Sequence, residues 1–215
     1  MSEQLVNPQQ NRSNRKIILA IVGIPTLVFI LSSILYYLVE SRAIDLGTVN
    51  NGQLVIPPLQ LTELPMRTVA GDRFDYVDHS NNKSEPRWAY VVIGDRYCTG
   101  PCERMLYIAR QSIVALGKKM SRVRLQFVTV DGDISAELQQ RFEAEYRGID
   151  VIALGKESIQ PLFAEAKLNA FDDKQFFVVD PNGWLMMYYR VDNTDQETLN
   201  TLGKAAVADM RRLIK

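Results

Sequence analysis

The chain has 215 residues, a length that suits one globular domain with an appendage. It carries 25 basic and 25 acidic side chains, so its formal net charge is zero. Proteins that bind nucleic acid present a basic stripe, which this balance does not support. We therefore predict no nucleic-acid partner.

An apolar run near the N-terminus predicts a membrane helix. Residues 17–39 contain no charged side chain, and 23 residues in a helix are enough to cross a hydrocarbon core about 30 Å thick. Pro25 lies inside the run, and membrane helices tolerate proline. The run is longer than the apolar part of a cleaved signal peptide, and it ends without a small-residue cleavage site. We therefore expect an uncleaved, single-pass anchor.

The residues before the apolar run predict its orientation. Arg12, Arg15 and Lys16 precede it, and basic residues beside a membrane span mark the cytoplasmic side. We therefore expect a cytoplasmic leader over residues 1–16 and a transmembrane helix over 17–39. The rest of the chain is then expected in the periplasm, on the outer side of a bacterial inner membrane.

The segment after the predicted span has the composition of a linker. A turn signal lies at residues 50–52, and the pair Pro57 and Pro58 favours an extended chain. The interpretation is an extended tether over residues 40–65 and a folded domain over 66–215.

Strands and helices alternate in the first half of the folded part. Residues 88–95 and 125–130 are apolar runs typical of buried strands, and a helical apolar stripe lies between them. A strand, a helix and a strand within about 45 residues predict a parallel pair. Asp131 and Asp133 flank a glycine, and a turn followed by an N-cap at Asp133 explains them better than a metal site.

The second half predicts a hairpin and a closing helix. A short strand over residues 149–154 and a short helix over 158–166 come first. Two further strands flank Pro181-Asn182-Gly183, which is a hairpin signature. A capping box of Thr194 and Glu197 then opens the last helix. The whole order matches an α/β, thioredoxin-like domain preceded by one N-terminal transmembrane helix.

Two cysteines occupy the position where this fold carries chemistry. Cys98 and Cys102 lie just past the carboxyl end of the first core strand, the edge at which reactive groups gather in open α/β sheets. Cys102 begins the following helix, whose N-terminus favours a thiolate. We therefore predict both as catalytic thiols and as candidate metal ligands. In the reduced protein we expect Cys98 to be the more exposed, attacking sulfur and Cys102 the buried, resolving one.

A structural disulfide is the alternative interpretation of the cysteine pair. A bridge that closes only five residues restrains the unfolded chain by about 2 kcal/mol, against nearly 5 kcal/mol for long loops. The position at the sheet edge favours function over this alternative.

These features together resemble the Sco family, copper chaperones and thiol reductases that assist assembly of cytochrome c oxidase. The resemblance rests on the anchor, the C-x3-C loop after a strand, TVDGD before a helix and VVDPNG before a strand. Residues 48–213 are also similar to a group of membrane-anchored proteins associated with cytochrome oxidase genes. The most specific part of that similarity is C-x3-C-E-R-x-L-Y-x-x-R-Q, beginning at Cys98.

The chain departs from the Sco pattern at the third copper ligand. Asp172 occupies the position of the Sco histidine, and the chain's one histidine, His79, lies before the first core strand. Two thiolates without nitrogen donors select Cu(I), so Cys98 and Cys102 are candidate Cu(I) ligands. Residues 172–176 also lack the proline that thioredoxin-type enzymes place before the strand facing the cysteines, which favours one dedicated partner.

The resemblance implies an assembly factor for a respiratory haem–copper oxidase, cytochrome c oxidase. Its cysteine pair would cycle between dithiol and disulfide or carry Cu(I), and its partner would be an oxidase subunit or another assembly factor. Two alternatives stay open. One is a membrane-tethered thiol–disulfide reductase serving another secreted protein, and the other is an oxidase accessory subunit with a structural disulfide.

Overall fold

The computed structural model describes residues 8–41, 49–76 and 86–214. The chain divides into two compact units, Met1–Val49 and Asn50–Lys215.

The first unit contains one long helix, α1 (Pro8–Glu40). Its segment Arg15–Glu40 is long and apolar enough to cross a membrane. Pro25 lies within the helix without ending it. The hydroxyls of Thr26 and Ser33 donate to carbonyls four residues earlier in the helix, at 2.7 and 2.9 Å, so they do not need water. The predicted transmembrane helix therefore falls inside α1, while the direction of crossing stays a prediction.

The second unit is built on one sheet. Its described strands are β1 (Gln53–Gln60), β2 (Arg67–Thr68), β3 (Trp88–Gly94), β4 (Val123–Thr129), β5 (Asp150–Ala153), β6 (Gln175–Val179) and β7 (Trp184–Arg190). They lie in the order β1-β7-β6-β3-β4-β5-β2. β4 pairs in parallel with β3 and β5, and the other pairings are antiparallel. The predicted parallel half followed by an antiparallel hairpin is confirmed.

Helices cover both faces of this sheet. They are α2 (Pro101–Val114), a 3-10 turn (Gly117–Arg122), α3 (Ala136–Glu145), α4 (Lys156–Glu165) and α5 (Gln196–Leu213). Successive strand residues point to opposite faces, so Tyr90 belongs to an apolar cluster with α2, α3 and α5, whereas Val91 belongs to one with α4. Burial on both faces explains why β3 is apolar along its length. β4 is buried as well but includes Gln126, whose side-chain oxygen accepts from the hydroxyl of Tyr76 at 2.9 Å. The predicted thioredoxin-like α/β fold is confirmed.

The predicted tether over residues 40–65 is wrong in its second half. Residues 53–60 form β1, which pairs with β7 at the edge of the sheet, and the folded unit begins at Asn50 rather than at residue 66. Pro57 and Pro58 lie where the register of β1 against β7 shifts, between Leu54 and Leu59. An edge strand tolerates prolines because one of its sides makes no ladder bonds. Its partner strand is some 130 residues away in sequence, so local composition suggests a linker.

Two helix caps also differ from the sequence prediction. The side chain of Ser135, not Asp133, caps α3 by accepting from the N–H of Leu138 at 3.1 Å. Asp195, not Thr194, caps α5 by accepting from the N–H of Thr198 at 2.8 Å. Several residues near each helix start are good caps, and the path of the incoming chain selects the one whose oxygen reaches the third helical N–H.

Candidate functional site

The structure brings the two predicted cysteines together at the carboxyl end of β3. Cys98 lies in the loop after this strand, and Cys102 lies in the first turn of α2. Their sulfurs form a disulfide of 2.02 Å, with the two Cα atoms 5.2 Å apart. The fold therefore places a disulfide at the edge of the sheet where the sequence predicts the cysteine pair.

Asp95 holds the loop that carries Cys98. Its carboxylate accepts from the N–H groups of Tyr97 and Cys98, at 2.9 and 2.8 Å. Cys98 has a φ of 42°, in the left-handed region that residues other than glycine rarely adopt. These two bonds stabilise the turn that directs Cys98 towards Cys102. Sequence reasoning did not identify Asp95, although an aspartate two or three residues before a tight turn is a known turn signal.

The start of α2 positions Cys102. Gly100 caps the helix with a φ of 62°, and Pro101 is the first helical residue. Proline fits this position because the first helical N–H has no partner within the helix. Cys102 is therefore the second residue of α2, where the helix dipole favours a negative charge. Reduction of the disulfide would place a thiolate of Cys102 in this field.

Both cysteines are buried in the disulfide-bonded protein. The exposed fraction of the residue is 1% for Cys98 and 4% for Cys102. In this disulfide-bonded form Cys98 is therefore not the more exposed of the two cysteines, whereas the prediction concerns the reduced thiols. Gly94 contributes to the burial of Cys102, since a Cβ on this glycine would lie 2.7 Å from the Cys102 Sγ. The sulfur therefore packs directly against the backbone of β3.

A cavity of about 440 Å³ opens beside the disulfide. Of the two cysteines, Cys102 lines this cavity and Cys98 does not. The charged residues that line it are Asp95, Asp131, Asp173 and Lys156. The Nζ of Lys156 lies 2.7 Å from Asp131 Oδ1, so these two form an ion pair at the cavity. Phe171 adds an apolar side chain to the wall. A partner group that enters the cavity therefore meets Cys102 among partly paired charges.

Comparison with known proteins assigns the family. The family model described as "Transmembrane-like, thioredoxin-like, C-terminal domain" matches residues 88–215. The chain belongs to this family. No curated protein sequence matches the chain at a significant level.

Solved structures share the fold of this transmembrane-like, thioredoxin-like protein. The crystal structure of yeast Sco1 with copper bound superposes with a TM-score of 0.51 at 15% identity, over 78% of this chain and 94% of the yeast chain. A second crystal structure of yeast Sco1 gives a TM-score of 0.50 at 14% identity, over 72% and 90% of the two chains. At these identities the likeness supports the fold, and the predicted Sco-like architecture is confirmed.

In this member of the family, Asp172 does not face the cysteines. Its Oδ2 lies 2.7 Å from the Nε of Arg190, and its Oδ1 accepts from the N–H of Lys174 at 3.0 Å. The neighbouring Asp173 lines the cavity instead. Counting residues along the chain located the loop correctly, but side-chain direction on a loop depends on its tertiary partners.

The described residues of this family member bring together few side chains that could bind a metal ion. His79, the chain's histidine, lies outside the described residues. Within residues 8–41, 49–76 and 86–214, no group of three or more His, Cys, Asp or Glu side chains could hold a metal ion. The reduced cysteines alone offer two adjacent soft sulfurs, which suit Cu(I) and not Cu(II). Thiol–disulfide exchange needs no donor beyond these two sulfurs.

Proposed function

We propose that this protein is an assembly factor for a respiratory haem–copper oxidase and that its cysteine pair works by reversible thiol chemistry. The observation that carries the proposal is the disulfide of Cys98 and Cys102, which lies at a helix N-terminus and borders an open cavity at Cys102. The oxidase as partner rests on the resemblance of the cysteine run to Sco proteins and to proteins associated with cytochrome oxidase genes.

The balanced reaction is an exchange of two electrons and two protons with a partner. The dithiol form of Cys98 and Cys102 reduces a disulfide of the partner, whose two sulfurs leave as thiols, and the pair becomes the disulfide seen in the structure. A copper site made of cysteine thiolates needs this reduction, because a thiolate is the ligand and a disulfide is not.

A structural role for the disulfide has weaker support. Closing a five-residue loop stabilises the fold by only about 2 kcal/mol. The described part of the domain already has an apolar cluster on each face of its sheet. A disulfide with only a structural role would not require a cavity at Cys102.

A redox titration of the full-length protein in detergent tests the proposal. We expect a midpoint potential between about −270 and −120 mV, the range of dithiols that cycle. A midpoint below about −300 mV would instead assign the bond to structure. The double variant Cys98→Ser/Cys102→Ser, which has neither thiol, is the negative control.

The partner is tested in cells that carry the gene. We expect its deletion to lower the copper content of the oxidase, and we expect the wild-type gene, but not the double serine variant, to restore it. Recovery by the serine variant would favour the accessory-subunit alternative. A normal oxidase in the deletion strain would favour a reductase that serves another secreted protein, and capture from solubilised membranes would then identify that partner.

The reduced pair is also proposed to carry Cu(I) as cargo. Two soft thiolates are sufficient for a two-coordinate Cu(I) site, and affinity should rise with pH because binding requires deprotonated sulfurs. A competition titration with a Cu(I) chelator should lose all binding in either single Cys→Ser variant. His79→Ala should leave the affinity nearly unchanged. A large loss in that variant would show that the loop around His79 supplies a third ligand.

The orientation of the anchor is the remaining element of the proposal. The basic leader favours a cytoplasmic N-terminus, so that the cysteines lie in the periplasm. A reporter enzyme that is active only in the cytoplasm, fused to the C-terminus, should therefore be inactive.

A further inference from the structure

We propose that Cys102, and not Cys98, is the sulfur that exchanges with the thiol of a partner. The inference rests on the proposed redox function and specifies which cysteine forms the mixed disulfide. It reverses the order that the sequence suggests, in which the first cysteine of the motif attacks.

Access to the disulfide favours Cys102. An incoming thiolate must reach the sulfur that it attacks. The cavity of about 440 Å³ reaches Cys102, bordered by Gly94, Thr99 and Phe171, whereas Cys98 does not line it. Gly94 is part of this arrangement, because a side chain there would occupy the space next to the Cys102 sulfur.

The loop keeps Cys98 away from the cavity. Its N–H donates to the carboxylate of Asp95, and the residue is 1% exposed, against 4% for Cys102. Exposing Cys98 would require breaking the turn, which Asp95 stabilises with two hydrogen bonds.

The helix field favours Cys102 as the attacking thiolate in the reducing direction. Cys102 is the second residue of α2, a helix of 14 residues, whereas Cys98 lies before its cap, Gly100. The stabilisation of negative charge by a helix falls off beyond the first turn. The thiolate of Cys102 is therefore the better stabilised of the two, so it is the better attacking sulfur in the reducing direction and the better leaving group when the partner's second thiolate releases it. The first step on the disulfide expels Cys98 and is favoured by access alone.

The exchange then proceeds in two balanced steps. A partner thiolate attacks the Sγ of Cys102, the bond between Cys102 and Cys98 breaks, and the Sγ of Cys98 leaves with the electron pair and takes a proton from water. A second partner thiolate attacks the partner sulfur of the mixed disulfide, and Cys102 leaves as a thiolate. In the reducing direction Cys102 attacks the partner disulfide and Cys98 resolves the mixed disulfide.

Mass spectrometry of a trapped adduct tests the inference on the oxidised full-length protein in detergent. The protein is mixed with glutathione, free thiols are blocked with N-ethylmaleimide, and trypsin is added. Trypsin cuts after Arg96 and Arg104, so both cysteines lie in one peptide, residues 97–104. Fragmentation of that peptide should place glutathione on Cys102 and the maleimide on Cys98, with about tenfold or more excess over the reverse pattern. Equal amounts, or glutathione mainly on Cys98, would overturn the inference and leave the redox function intact.

A second measurement uses the wall of the cavity. Phe171→Ala widens the approach to Cys102 and should raise the rate at which glutathione reduces the disulfide several-fold. Trp184→Ala is the matched control, because this comparably exposed aromatic residue does not line the cavity. An unchanged rate in the Phe171 variant would contradict entry through the cavity. A disulfide that neither glutathione nor dithiothreitol reduces in the folded protein would remove the proposed function itself.

Discussion

Two buried regions of the folded unit differ in how completely their polar groups are hydrogen-bonded. One is the cluster around Asp209, and the other is the loop that carries Cys98 and Cys102. Asp209 is 2% exposed, and its carboxylate accepts from five donors of four residues: Asn51 (N and Nδ2), Gly52 (N), Tyr189 (hydroxyl) and Arg212 (Nη1). The cysteine loop instead borders an open cavity with several carboxylates and one lysine.

The Asp209 cluster therefore has the features of a structural contact, whereas the cysteine loop has those of a site that a second molecule reaches. The Asp209 cluster joins the start of the folded unit to α5 and β7 through hydrogen bonds that use both oxygens of the Asp209 carboxylate. The cysteine loop keeps space next to a reducible bond. Full satisfaction of buried polar groups rigidifies a structure, whereas reactive groups need access for a second molecule.

The largest expected effect on stability comes from a substitution in the Asp209 cluster. Asp209→Ala should lower the free energy of unfolding by about 2–5 kcal/mol, because it leaves the buried donors of Gly52 and Tyr189 without their acceptor. Urea unfolding of the detergent-solubilised protein, followed by tryptophan fluorescence, measures this loss, since both tryptophans lie in the second unit. Asp173→Ala, at the cavity, is the matched control and should change the value by less than about 1 kcal/mol. Equal losses in the two variants would remove the distinction between the regions.

Alkaline pH should weaken the same region. Burial raises the pKa of Tyr90 and of Tyr189 well above 10, and the nearby Asp209 raises both further. A folded-state pKa above the unfolded value means that the stabilisation is complete below about pH 10 and falls as pH rises further, by about 1.4 kcal/mol per pH unit for each tyrosine. Urea unfolding at pH 9 to 11 measures this slope. Tyr189→Phe should make it shallower, and an unchanged slope would contradict the assignment.

Gly94→Ala tests the close packing beside the sulfur of Cys102. The added Cβ would lie 2.7 Å from Cys102 Sγ and 3.1 Å from the Phe127 ring, so the oxidised protein should lose about 1–3 kcal/mol of stability. The loss should be smaller after reduction, because the free thiol of Cys102 is able to rotate away. Comparing the unfolding of the two redox forms tests this, and an equal loss in both would place the strain elsewhere.

The smallest expected effect is at Asp172. Its ion pair with Arg190 is partly exposed, so Asp172→Asn should cost no more than about 1 kcal/mol. The midpoint potential and the Cu(I) affinity should stay at the wild-type values, because the carboxylate faces Arg190 rather than the cavity. A large change in either quantity would show that the loop rearranges to bring Asp172 to the sulfurs.

Local patterns in the sequence were sufficient for the order of elements and for the position of the cysteine pair. Helical stripes, apolar runs and the Pro181-Asn182-Gly183 turn depend on residues close together in the chain, so the βαβ half, the hairpin and the closing helix were predicted correctly. The cysteines follow a predicted strand and begin a predicted helix, which places them at the edge of the sheet without further information.

Contacts between distant segments determined the remaining features. β1 looks like a linker until β7 supplies its ladder, and Asp209 is an unremarkable helix residue until Asn51 and Gly52 reach it across more than 150 positions. The turn held by Asp95, the cavity and the direction of Asp172 likewise depend on where loops meet after folding. Sequence periodicity reports which face of an element is apolar, but hydrogen-bond partners and access to a sulfur depend on neighbours that only the tertiary structure brings together.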